Sequence, residues 1–129
     1  MQYMLLIYGE EKALDQKERE ACYEESKRLT HDLHAKGQFR AAAPLYPTAT
    51  AASVRIRDGQ RLVTDGPFAE TREQLGGYFL VEAGSADEAI AIASRIPAAR
   101  WGTVEVRPVI ELTGMPEPTE TVASAALQR

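Results

Sequence analysis

The chain has 129 residues, of which 44% are hydrophobic and 26% charged, and its formal net charge is -4. That length suits one domain with a core of its own, and the composition is too apolar for disorder. The acid excess argues against a nucleic-acid partner, whose phosphates demand a basic footprint. A single cysteine, Cys22, forms no internal disulfide and needs no oxidising compartment. No apolar run approaches the ~20 residues that span a bilayer, and residues 1–8 lack the basic start of a signal peptide. The expectation is a cytoplasmic protein with no membrane partner.

Residues 3–8 are apolar at nearly every position, which predicts a strand covered on both faces. From 15 to 36 the pattern becomes helical. Cys22, Ser26, Leu29 and Leu33 form one inward stripe, Asp15 and Glu18 have capping-box spacing, and Gly37 fits the place after a helix end. Residues 39–43 form a second strand ending at Pro44, followed by a loop to Ala52. Residues 53–57 and 60–65 flank Asp58-Gly59, the strongest hairpin signal in the chain.

Residues 65–68 read as a turn, and Thr71 to Gln74 has the spacing of a brief helical turn. A strand over 76–82 turns Phe79 and Val81 to one side and Tyr78, Leu80 and Glu82 to the other. Ser85 caps a second helix that runs through Ile96 and stops at Pro97. Residues 103–109 are the last strand. The domain therefore spans 1–112, with 113–129 as a flexible tail.

Strand, helix, strand, hairpin, strand, helix, strand describes an α+β ferredoxin-like sandwich, an antiparallel sheet with two helices on one face. The other face carries Tyr78, Leu80, Glu105 and Arg107. A second copy that covers it makes a homodimer, with a polar-lined cleft between the sheets.

Three segments resemble one family: residues 3–9 (Tyr-Met-Leu-Leu-Ile-Tyr-Gly), residues 65–78 beginning Asp-Gly-Pro-Phe-Ala-Glu-Thr, and Ile96-Pro97-Ala98-Ala99 with residues 102–108. Together they resemble the YCII-related proteins, in the branch named after its Asp-Gly-Pro-Phe motif. The resemblance implies a ferredoxin-like fold paired into a dimeric α/β barrel. It implies little about activity. Some relatives sit beside or are fused to extracytoplasmic-function sigma factors, and a distant branch is linked to dechlorination. A His–Asp pair is proposed as catalytic in other branches; here the early helix offers His31 and His34, neither of which the motifs match to that histidine.

The candidate chemistry divides between working and structural roles. Asp65 and Glu70 flank the Gly66-Pro67 turn. In a shared cleft their repulsion would leave an acid beside a base; otherwise Asp65 caps its own turn and Glu70 is solvated. Phe68 either anchors the loop on the core or forms a pocket wall. Arg107 suits a substrate carboxylate and Tyr78 a proton or hydrogen bond; the alternative is an ion pair of Arg107 with Glu105 and a Tyr78 packed at the dimer seam.

His34 lies nearer the inward stripe than His31 and is the better general base, but no third ligand completes a metal site. Cys22 belongs to the core stripe. Arg55, Arg57 and Arg61 concentrate charge on the hairpin, either as a weak anion or partner patch or as a solvated face.

The leading expectation is a small-molecule enzyme using acid–base chemistry without a cofactor or metal, of a lyase, isomerase or dehalogenation-like kind. Its catalytic residues would be Asp65, Glu70, Tyr78 and His34, with Arg107, Phe68 and Glu105 holding an anionic substrate. The competing expectation is a non-catalytic ligand-binding or regulatory dimer acting with a sigma factor or a partner enzyme.

Overall fold

Alternation of apolar and polar residues with period two makes strands that bury one face, and a 3.6-residue period makes helices that bury one stripe. Both appear in the computed structural model, which describes residues 1–117. Its elements are β1 (Gln2–Gly9), α1 (Gln16–Ala35), β2 (Phe39–Pro44), β3 (Ala52–Arg57), β4 (Gln60–Asp65), β5 (Gln74–Glu82), α2 (Ala86–Ala93) and β6 (Thr103–Pro108). Two 3₁₀ turns, Thr48–Thr50 and Pro97–Arg100, join them.

Four strands form one antiparallel sheet in the order β2-β5-β1-β6, and β3 and β4 pair separately. Each half of the chain places two parallel strands on either side of a strand from the other half. This is the strand order of a ferredoxin-like α+β fold, as the element pattern predicts.

The core lies between the sheet and the helices. Tyr3 and Leu5 of β1, Phe79 and Val81 of β5, Leu29 and Leu33 of α1, and Ala89, Ile92 and Ala93 of α2 are all buried, with Val104 and Val106 packed against them. The expectation that β1 is covered on both faces needs correction. Met4, Leu6 and Tyr8 are only half-buried, because both helices lie on one side and, among the described residues, no element covers the other face.

The ends of α1 follow the sequence signals closely. Asp15 accepts from the Glu18 backbone N–H at 2.8 Å while Glu18 accepts from the Asp15 N–H at 3.1 Å, a complete capping box. At the far end Gly37 takes a φ of +70°, and the Gly37 and Gln38 N–H groups donate to the carbonyls of His34 and Leu33. That double closure is a Schellman motif, which a glycine in the left-handed region makes possible. At the hairpin tip Asp58 and Gly59 both have positive φ, the type I′ turn that Asp-Gly favours.

Two expected elements differ. α2 ends at Ala93 rather than Ile96. Ile96 precedes Pro97, whose ring disfavours helical geometry one residue earlier, and it sits extended at φ −73°, ψ 127° before the 3₁₀ turn. Thr71 to Gln74 forms no helical turn. The Thr71 hydroxyl donates to the Glu73 carbonyl instead of accepting from a helix N–H, and Gln74 already belongs to β5. Of the predicted tail, 118–129 lie outside the described residues, while 113–117 are exposed.

Candidate functional site

The inward stripe of α1 changes character along its length. Leu29 and Leu33 fill the space above the sheet, but one and two turns earlier the same stripe offers only Ser26 and Cys22. Below them the sheet is small as well, with Ala42 on β2 and Gly77 on β5. Small faces small, and the layers do not close. The result is a cavity of about 850 Å³ between the first half of α1 and the β2–β5 side of the sheet. That is within the size range of small-molecule sites.

Its inner surface is mainly apolar: Ile7, Phe39, Phe79, Ile96 and Pro97 lie deep, and Leu14, Leu45, Leu75 and the rings of Tyr23, Tyr46 and Trp101 surround the opening. Tyr46 is 88% exposed and Tyr23 41%, so apolar surface continues outward from the mouth. An exposed apolar patch rimmed by polar groups marks a binding surface more often than chance.

Backbone geometry holds the walls. Trp101 packs against Gly9, where a Cβ would run into the indole ring. A Cβ on Gly77 would stand 3.0 Å from the Ala43 carbonyl oxygen and 3.3 Å from the Pro44 Cα, so glycine lets β2 and β5 approach at the cavity floor. The Pro97–Arg100 turn is tied to α1 by Arg100, which donates to both Glu25 oxygens at 2.8 and 2.9 Å. Those hydrogen bonds hold the Glu25 carboxyl below its ordinary value and raise the guanidinium of Arg100.

The rim is charged. Glu10, Glu11, Arg19, Glu20, Glu24 and Lys27 stand around the opening. Glu24 pairs with Lys27 at 2.8 Å, and Glu10 pairs with Arg72. Glu11 accepts from the Thr48 backbone N–H at 3.2 Å and from its hydroxyl, while Glu20 accepts from the Gln16 amide at 3.3 Å.

None of the seven site residues singled out from the sequence lines this cavity. Asp65 closes β4, and Phe68 and Glu70 follow it on an exposed loop. Phe68 is 80% exposed, so within one chain it does not anchor the loop on the core. The loop is tethered at its base, where the Gly66 N–H donates to the Ala51 carbonyl at 2.7 Å and the Ser53 hydroxyl to the Gly66 carbonyl at 2.8 Å. His34 is exposed in the last turn of α1, one turn beyond Thr30, the last residue of that helix to line the cavity.

The other three share the open sheet face. Tyr78, Leu6 and Glu105 form one row across β5, β1 and β6, and Leu80, Met4 and Arg107 form the next. Tyr78 and Glu105 are thus two strand spacings apart, about 10 Å between backbones. Neither Glu105 nor Arg107 enters an ion pair among the described residues.

No three His, Cys, Asp or Glu side chains converge as a metal set among the described residues. No helix of the described residues is long and apolar enough to cross a membrane.

Sequence reasoning missed the cavity because it treated Cys22 and Ser26 as ordinary core positions. The signal was present in size rather than in chemistry: small residues on the helix stripe and small residues on two strands. Nothing in the linear sequence says that these positions face one another.

A ferredoxin-like α+β domain with an apolar cavity under its first helix is the class that this geometry defines. The YCII-related domain model matches residues 1–113, and the chain belongs to that family. It is also 37% identical over 118 residues to "Uncharacterized protein R00369" of Rhizobium meliloti (strain 1021), an alignment covering 84% of this chain and 92% of the relative.

Proposed function

We propose that this YCII-related protein binds a small, largely apolar molecule in the cavity beneath the first half of α1, and that it does so as a homodimer joined through the open sheet face. The observation that carries the reading is the cavity itself, about 850 Å³ with apolar walls and a charged rim. An evolved core normally fills such space, since interiors pack like organic crystals. A thermal-shift screen of small aromatic and alicyclic compounds tests it, because a ligand that binds only the folded state must stabilise it, by about 2.7 kcal/mol at one hundred times Kd. Ser26→Phe, which places a ring in the empty space, should abolish every shift while keeping the fold. Hits that shift the variant as strongly as the native chain would move binding elsewhere.

The dimer is supported by the apolar rows on the uncovered face, where Met4, Leu6 and Leu80 are half-buried beside Tyr78. The β3–β4 hairpin adds to it. Val54, Ile56 and Val63 share one hairpin face and are each more than half exposed, and a two-stranded hairpin alone is marginal in water. Two such sheets packed face to face form a dimeric α/β barrel.

Acid–base catalysis is the second reading, and one observation favours it: the row holding Tyr78 and Glu105, with Arg107 in the next row, sets a phenol, a carboxylate and a guanidinium on the face that a second copy would cover. If that face carries chemistry, Tyr78→Phe removes turnover and leaves ligand binding in the cavity intact. Asp65 and Glu70 belong to this reading only if the loop after β4 reaches the partner subunit.

A further inference from the structure

The cavity has a charge preference that its apolar walls alone would not reveal. We propose that its ligand class is a cation, an ammonium or similar positive group carried on an aromatic or aliphatic body, rather than an anion; the proposal rests on the cavity reading above. Four carboxylates, Glu10, Glu11, Glu20 and Glu24, stand at the opening against two cations, Arg19 and Lys27. Glu24 is already matched by Lys27, and Glu10 by Arg72.

Glu11 and Glu20 have no cation within ion-pair distance among the described residues, and accept only from neutral groups, Thr48 and Gln16. Arg19, which donates to the Leu14 carbonyl at 3.5 Å, and Lys12, which borders the adjoining depression together with Glu10 and Glu11, offset part of this excess. Among the residues that line the cavity itself, carboxylates still outnumber cations four to two.

The rings agree in sign with the carboxylates. Tyr23, Tyr46 and Trp101 surround the opening and Phe39 and Phe79 lie deeper. An aromatic face presents negative potential to a bound cation, and the attraction grows as the site is desolvated. Besides Arg19, the feature at this mouth that would suit an anion is the positive end of α1, and it is occupied by the protein's own carboxylates. Asp15 and Glu18 close it as a capping box. A carboxylate ligand would therefore meet Glu11 and Glu20 without a free helix terminus to compensate.

Trp101 is the chain's single tryptophan and lines the cavity, so its fluorescence reports occupancy directly. The test titrates three probes of equal shape at pH 7 and low salt: 4-phenylbutylamine, 4-phenylbutan-1-ol and 4-phenylbutanoate. The expected order is ammonium first, alcohol second and carboxylate weakest, with the ammonium at least about tenfold tighter than the carboxylate.

In Glu11→Gln/Glu20→Gln, checked for folding by circular dichroism, the ammonium should lose most of its advantage over the alcohol, which itself should not change. Raised salt should weaken the ammonium alone, and this supplies the same readout on the native chain if the variant does not fold. Equal binding of all three, or a carboxylate that binds as tightly as the ammonium, overturns the charge preference and leaves the cavity reading standing. No response to any probe overturns both.

Discussion

Gly102 shows how a single residue can be held by what lies beside it. A Cβ built there would run into the Tyr8 carbonyl oxygen, a backbone atom that cannot rotate away, at the point where β6 meets β1. Gly102→Ala should therefore cost about 2–3 kcal/mol as the strands part to make room, read as a lower denaturant midpoint at unchanged slope. Glu25 carries a pH signature. Two hydrogen bonds from Arg100, with charge attraction added, hold its carboxyl below the ordinary 4.5. A depressed carboxyl stabilises the fold fully above its unfolded value and loses that contribution as pH falls through the lower folded one. Glu25→Gln should thus melt at a lower temperature than the native chain at pH 7, and the gap should close as the pH drops below 4.5. Because the Arg100 side chain is 62% exposed, the gap is small and shrinks with salt.

At the scale of the element, α1 is the part on which the site depends. Its start is fixed by the Asp15–Glu18 box and its end by Gly37, so its length is local information. Asp15→Ala removes an acceptor from the Glu18 N–H and should cost about 1 kcal/mol of stability by chemical denaturation, with Asp15→Asn nearly neutral. The position of α1 over the sheet is decided by Leu29 and Leu33, which seat its second half and leave Cys22 and Ser26 standing off the strands. α2 is the contrasting case. Its apolar stripe continues past Ala93 to Ile96, yet the helix stops early because a proline next in sequence restricts Ile96. Periodicity tells which side a residue faces and is silent about whether the backbone there is still helical.

At the scale of the whole molecule, the described residues leave two apolar surfaces uncovered: the open sheet face and the Val54–Ile56–Val63 side of the hairpin. Leu80 lies near the middle of the first, beside Met4 and Ala41. If two copies meet there, Leu80→Arg places a charge in the seam and should convert a dimer to a folded monomer in sedimentation at micromolar concentration. Cavity binding that survives in this monomer would locate the ligand site wholly within one chain; loss of binding with dimerisation would show that the partner subunit completes it.

How much was legible depended on the range of the information. The strands, both helix starts, the Asp58-Gly59 turn and the face on which Tyr78, Leu80, Glu105 and Arg107 lie could all be read from residues within a few positions of one another, because caps, turns and two-fold alternation are local. The sheet order followed from those elements, since short right-handed connections leave few ways to arrange them. The cavity was decided by tertiary structure alone. It exists because Ser26, Ala42 and Gly77, distant in sequence and each unremarkable, face one another across a layer. The same packing left Asp65, Phe68 and Glu70 on an exposed loop outside it. Sequence alone thus determined which side each residue faces, but not the depth between facing layers. That depth is a sum of side-chain volumes from separate segments, and only the folded chain brings those segments together.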